Sequence, residues 1–104
     1  MIITTTDDIK GRTISKTIGL VKGNTVRTRW FGRDIAAALK NLVGGEIKSY
    51  TDMLTMAREE AIERMVQEAK KKGADAIVGV RFTIADVMQG SSEILAFGTA
   101  VKLK

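Results

Sequence analysis

The chain has no cysteine, no histidine and no proline, and its aromatic residues are limited to one tryptophan, one tyrosine and three phenylalanines. Without cysteine there are no disulfides, thiolate nucleophiles or thiolate metal sites. Without histidine, the commonest general base near neutral pH and the commonest nitrogen ligand for zinc, copper or nickel are both missing, which excludes dyads and triads built on imidazole. No apolar run approaches the roughly 20 residues that span a bilayer. Met1-Ile2-Ile3 runs straight into threonines and aspartates rather than into a leader with a cleavage site. These absences lead us to expect one soluble, cytoplasmic domain spanning residues 1–104 that is not an enzyme. Tyr50 with Arg58 or Lys48 is the nearest approach to an acid–base pair, and nothing distinguishes that tyrosine from one packed on a helix stripe.

What is present is a balanced globular composition, 44% hydrophobic and 28% charged. The net charge is +5 and it is unevenly placed along the sequence: residues 1–48 hold nine Lys/Arg against four Asp/Glu, and residues 49–104 hold eight against eight. The β-branched run Ile2-Ile3-Thr4-Thr5-Thr6 predicts a short strand. Residues 13–27 predict a second, bent near Gly19 or Gly23, with Ile14, Ile18 and Leu20 on one face and Thr17, Gly19 and Val21 on the other. Ile35, Ala38, Leu39, Leu42 and Val43 lie at helical spacing, so Asp34 to Val43 reads as a short amphipathic helix stopped by Gly44-Gly45.

A second, longer helix is expected from near Ser49, where Ser49 and Asp52 have capping-box spacing. Tyr50, Leu54, Ala57, Ala61, Met65, Val66 and Ala69 form its apolar stripe. Lys70-Lys71-Lys72 suit the negative end of its dipole, and Gly73 suits a left-handed cap. Two strands follow, joined by a turn at Gln89-Gly90-Ser91-Ser92. The first alternates Val78, Val80, Phe82 and Ile84 against Ile77, Gly79, Arg81, Thr83, Ala85 and Val87. The second alternates Leu95, Phe97, Val101 and Leu103 against Ile94, Ala96, Gly98 and Ala100. Neither face of the last strand suits water.

The order strand, helix, helix, strand, strand predicts an α+β domain: a small antiparallel β-sheet with two helices on one face (β-α-α-β-β). One helical layer covers one sheet face. The other face needs a neighbouring subunit or a fold-over of the N-terminal segment, and open sheet edges could be paired by ring-like assembly. Homo-oligomerisation is therefore expected.

Gly44-Gly45-Glu46, Tyr50, Arg58, Gly73-Ala74-Asp75-Ala76, Gly79-Val80-Arg81-Phe82 and Gly98-Thr99-Ala100-Val101, taken in order, resemble the YbjQ-like family, whose members are described as heavy-metal-binding. The resemblance covers nearly the whole chain. It implies a dodecin-like arrangement and a homo-oligomer of pentameric, ring-like form. Two departures stand out: Phe97 lies where the family commonly has tyrosine, and Asp75 where it commonly has asparagine.

The candidate chemistry is sparse. A metal site would have to draw on Glu46, Asp52, Asp75, Asp86 or Glu93 with carbonyls and water, a donor set for hard cations rather than heavy metals. Met53 and Met56 have the spacing of packing residues on an amphipathic helix. Arg58 and Arg81 interrupt apolar stripes and need partners if buried, with Glu46 and Glu93 available. We expect any ligand site between subunits, lined by Glu46, Tyr50, Arg58, Arg81 and Glu93. No cofactor is specified. The alternative is a nucleic-acid surface built on Arg27, Arg29, Trp30 and Arg33, which mix cations with an aromatic ring, together with Lys10, Arg12, Lys16 and Lys22.

Overall fold

The computed structural model describes residues 1–28, 45–88 and 91–104, with side chains at 1–26, 54–85 and 93–104. Its elements are β1 (Ile2–Ile3), β2 (Ile14–Thr28), α1 (Gly45–Lys71), β3 (Ala76–Met88) and β4 (Ser91–Leu103). They form a four-stranded sheet of order β1-β3-β4-β2 with α1 against one face. β3 and β4 pair antiparallel as the expected hairpin, and β2 pairs antiparallel with β4. The sheet is mixed, not purely antiparallel, because β1 runs parallel to β3 with Ile2 beside Ala76 and Ile3 beside Ile77. A strand at the start of the chain and one that follows a long helix meet in this sense through a helical crossover. The helix expected over Asp34 to Val43 lies outside the described residues.

α1 is longer than its capping signals suggest. It begins at Gly45, so Ser49 and Asp52 sit inside it rather than at its start. The other end follows the sequence: Gly73 takes φ 78°, its N–H donates to the carbonyl of Lys70, and Ala74 N–H donates to Ala69.

The core lies between α1 and the sheet. Ala57, Ala61, Met65 and Ala69 are buried against Val21, Ile77, Val80, Ile94, Ala96 and Ala100. Three alanines among the four helix residues permit a close seat, and Gly23 makes room beneath them. A Cβ at Gly23 would lie 2.2 Å from the carbonyl oxygen of Ala61 and 2.3 Å from the nitrogen of Met65. Next to it the buried Thr25 hydroxyl donates to the carbonyl of Ala57 at 2.9 Å.

Register shifts change which residues share a face. Gly79, at φ 63°, lies within a register shift between Val78 and Arg81. An added residue on one strand reverses the alternation beyond it. Ile77 and Val80 therefore both pack under α1, whereas Val78 joins Ala76 and Val101 on the opposite face, contrary to simple alternation. β2 has two such register shifts, one between Ile14 and Lys16 that separates the faces of Ile14 and Ile18, and one between Thr17 and Gly19, where the glycine takes φ 138°. Ile14 lies with the opposite-face cluster while Ile18 packs toward α1, so the expected sharing of one face by Ile14, Ile18 and Leu20 does not hold.

The second face of the sheet is covered at one end only. Ile9, in the turn where Arg12 N–H donates to the Ile9 carbonyl, packs with Ile14 and Leu103 on Ala76, Val78 and Val101. This is the N-terminal fold-over that the apolar second face called for. Further along, Leu20 and Val26 remain exposed and Leu95 and Phe97 half-exposed.

The free edge of β2 is closed by the helix. Lys72 Nζ donates to the Leu20 carbonyl, Glu68 Oε2 accepts from Lys22 N–H, and Arg64 donates to the Asn24 carbonyl. Helix residues four apart meet strand residues two apart, because about 6 Å of helix rise matches nearly two strand residues. The same side chains pair along the helix, Glu60 with Arg64 and Glu68 with Lys72.

Gly23→Ala is expected to destabilise the protein by at least about 2 kcal/mol, because its methyl group meets helix backbone. Gly11→Ala, at φ 84° with open space around the position, should lose about 1–2 kcal/mol from backbone conformation alone. Urea unfolding of the two variants checks the order. Replacing Arg64, Glu68 and Lys72 together by alanine should cost little stability, since the groups are exposed, but should increase aggregation through the bared β2 edge, read by light scattering.

Candidate functional site

The five residues singled out in the sequence fall in three places. Arg81 and Glu93 lie on the uncovered face of the sheet: their neighbours Phe82 and Ile94 fall on the helix side, as the pairing of Phe82 with Ala96 and the burial of Ile94 and Ala96 under α1 require. Arg58 is an exposed residue of α1, on the other side of the sheet, four residues before the core-packed Ile62. Glu46 and Tyr50 belong to the first turns of α1, and their side chains lie outside the described residues. The sheet thus separates Arg58 from Arg81 and Glu93 within one chain.

The expected carboxylate partner of Arg81 is not Glu93. Along β4, Arg81 registers with Phe97, whereas Glu93 registers with Ala85. Four strand residues separate the two by about 13 Å. Glu93 Oε2 instead accepts from Asn24 Nδ2 at 3.2 Å. Arg81 Nη1 donates to the carbonyl of Thr5 at 2.9 Å and to that of Val80 at 2.8 Å. It clasps the segment after β1 to the edge of β3, beside the backbone bonds from Thr4 N–H to Ile77, from Val80 N–H to Thr4 and from Gly79 N–H to Thr6. Arg58 Nη2 donates to the hydroxyl of Thr55 at 3.4 Å.

The acidic candidates do not gather. Asp75 Oδ2 accepts from Leu103 N–H at the start of β3, while Glu93 lies near the hairpin end. The side chains of Glu46, Asp52 and Asp86 lie outside the described residues. Among the described residues no three acidic, cysteine or histidine side chains converge. Met65 is wholly buried in the core and Met56 is isolated on the surface. A thiophilic ion prefers thiolate, thioether or imidazole ligands, and this chain lacks two of the three entirely. The described residues do not fit a heavy-metal centre within one subunit.

The basic alternative is also divided by the structure. Arg27 registers with Ser92 near the hairpin end, whereas Lys16 registers with Lys102 at the other. Eleven strand residues put about 36 Å between them, several times the screening length of about 8–10 Å. Lys10, Arg12 and Lys16 therefore do not form one surface with Arg27. Arg29, Trp30 and Arg33 lie outside the described residues.

Among the described residues, a four-stranded mixed sheet with one helix seated on a glycine defines a small α+β class. A solved structure from Pediococcus pentosaceus, a DUF74-family protein of unknown function, shares this fold at TM-score 0.63 and 19% identity, over 100% of this chain and 98% of that one. The chain belongs to the YbjQ family, described as "Putative heavy-metal-binding", which matches residues 1–104. Its relatives include the UPF0145 protein VP1283 of Vibrio parahaemolyticus, 60% identical over 99% of this chain and 98% of that protein. Another is a UPF0145 protein of Thermosipho africanus, 59% identical over 100% and 96%. Among the described residues, no helix is long and apolar enough to cross a membrane.

Arg81→Ala should leave the sheet folded but loosen its N-terminal strap. Hydrogen exchange at the Gly79 and Val80 amides should quicken by about tenfold, equivalent to losing roughly one charge-assisted hydrogen bond, while exchange in the β2–β4 ladder stays unchanged.

Proposed function

We propose that this protein is a homo-oligomeric binding or structural module without catalytic activity, a pentameric ring whose ligand lies between subunits. The observation that carries the reading is the state of β3 beyond its strap. From Phe82 onward the outer side of β3 has no further strand against it among the described residues, and Phe82 and Ile84 are 45% and 65% exposed beside it. A free strand edge flanked by apolar side chains is a template for another chain.

The two sheet edges are unequal: β2 is closed by Arg64, Glu68 and Lys72, which leaves β3 as the edge open to another chain. In the ring β3 meets a different surface on its neighbour, rather than a second β3 across a two-fold axis. Such heterologous contacts close into rings when the rotation permits. Assembly also offers a way to unite the five candidates: Arg58 of one subunit could be brought to Arg81 and Glu93 of the next, with Glu46 and Tyr50 from the start of α1. The misfit of a heavy metal to one subunit's donors turns attention to ligands with carboxylate or other anionic groups, which two arginines suit.

Native mass spectrometry of untagged protein purified without chelator should show a pentamer. Phe82→Asp with Ile84→Asp should shift it to monomer while circular dichroism stays unchanged. A monomeric parent protein would overturn the reading. Arg58→Ala and Arg81→Ala should keep the assembly and lose any stoichiometric bound mass; retention of that mass in both would remove these residues from the site.

A further inference from the structure

The chain's positive charge, spread through the sequence, is gathered by the fold at one end. Residues 9–12 turn back over the start of β2, and Lys104 N–H donates to the Thr13 carbonyl, so Lys10 and Arg12 lie beside the end of β4. Lys16 and Lys102 are register partners across β2 and β4. Lys102 also reaches the end of α1, its Nζ lying 3.9 Å from where a Cβ of Gly73 would stand. Lys70, Lys71 and Lys72 complete the set, and all eight side chains are exposed. Against these eight stand Asp7, Asp8, Glu68 and Asp75, an excess of four positive charges, while the other described side chains, Lys22, Arg58, Arg64 and Arg81 against Glu59, Glu60, Glu63 and Glu93, balance. The excess charge of the described side chains therefore resides at this pole.

Part of the arrangement serves the fold: lysines in the last turn of α1 favour its dipole, and Lys72 caps the β2 edge. Lys16 opposite Lys102 has no such return, because like charges directly across a ladder repel. Asp75, the carboxylate at the start of β3, is held by Leu103 N–H. The pole thus keeps an unneutralised cluster whose repulsion a polyanion would relieve.

We infer that this pole is a docking surface for the phosphate backbone of duplex nucleic acid, bound without regard to sequence. Seven of the eight cations are lysines, point charges suited to phosphate rather than the fork that reads guanine. Neither described aromatic side chain, Phe82 or Phe97, lies among them, so the described surface offers no platform for stacking single-strand bases. Among the described residues the exposed apolar side chains near the pole are Met1, Ile2 and Ile3, at and just before β1, and Leu20, whose carbonyl accepts from Lys72. β1 is at the opposite sheet edge from β2, about 14 Å away across three strand spacings, so Leu20 is the one such side chain beside the β2 cations, and a single apolar side chain is a weak anchor in a bilayer.

The test uses the full chain with a fluorescent 30-base-pair duplex of arbitrary sequence, read by anisotropy. With about four phosphates engaged, affinity should fall about 100-fold between 50 and 200 mM salt. Lys10→Gln, Lys71→Gln and Lys104→Gln combined should weaken binding at least tenfold, and so should Lys16→Glu, which places a carboxylate opposite Lys102 and leaves the sheet intact by circular dichroism. Arg27→Gln, at the far end of β2, should bind as the parent does. No binding at 50 mM salt, equal binding by the pole variants, or binding to phosphatidylglycerol-containing vesicles with none to the duplex would each overturn the proposal.

Discussion

The structure depends on how closely α1 can sit on β2. Gly23 beneath the backbone of Ala61 and Met65 leaves no room for a methyl group, and Ala57, Ala61 and Ala69 present the smallest side chains that still bury apolar surface. Interiors of this density do not yield to small changes in volume. The seat fixes the lateral position of the helix: it lies chiefly over β2 and β4 and barely touches β3. One flank of α1 then overhangs the outer edge of β2, where Arg64, Glu68 and Lys72 meet strand carbonyls and an amide. On the other side Phe82 and Ile84 are left with little cover.

The two edges of the sheet are consequently treated in opposite ways. β2 is closed by side chains of the same chain, and the start of β3 by the strap that Arg81 holds. The remainder of β3 presents unpaired backbone and apolar side chains. A protein that blunts one edge and leaves the other concentrates its capacity to associate at the open one. The family's metal-binding description sits uneasily beside a chain with neither cysteine nor histidine and with its described carboxylates held apart at opposite ends of the sheet.

Much of the fold was legible in the sequence. The end of α1 at Lys71 and Gly73, the β3–β4 hairpin, the bend at Gly19 and the need to cover the second face all follow from local rules of capping, alternation and turn chemistry. The faces of β3 were not legible, because Gly79 reads equally as an ordinary strand glycine or as a bulge, and only the pairing with β4 decides. The start of α1 was missed for a related reason: Ser49 and Asp52 form a sound local cap, which packing of the longer helix overrides. Of the candidate site, Arg81 was marked as needing a partner if buried, with Glu46 and Glu93 available; it is exposed, and its partners are others. Those partners are backbone carbonyls, which no pattern of side chains announces.

What the sequence by itself determined is the chemistry available: no thiolate, no imidazole, one long helix with an alanine-rich stripe, and five excess positive charges. Those are properties of residues and of their spacing along a single element. The tertiary structure alone decided which distant residues share a surface. It put Lys10, Arg12 and Lys16 with Lys70–Lys72, Lys102 and Lys104, and it separated Arg27 from them, because strand register and the parallel return of β1 are set by long-range pairing. It likewise set Arg58 and Arg81 on opposite sides of one sheet, since side-chain direction in a strand reverses with each residue and again at each bulge.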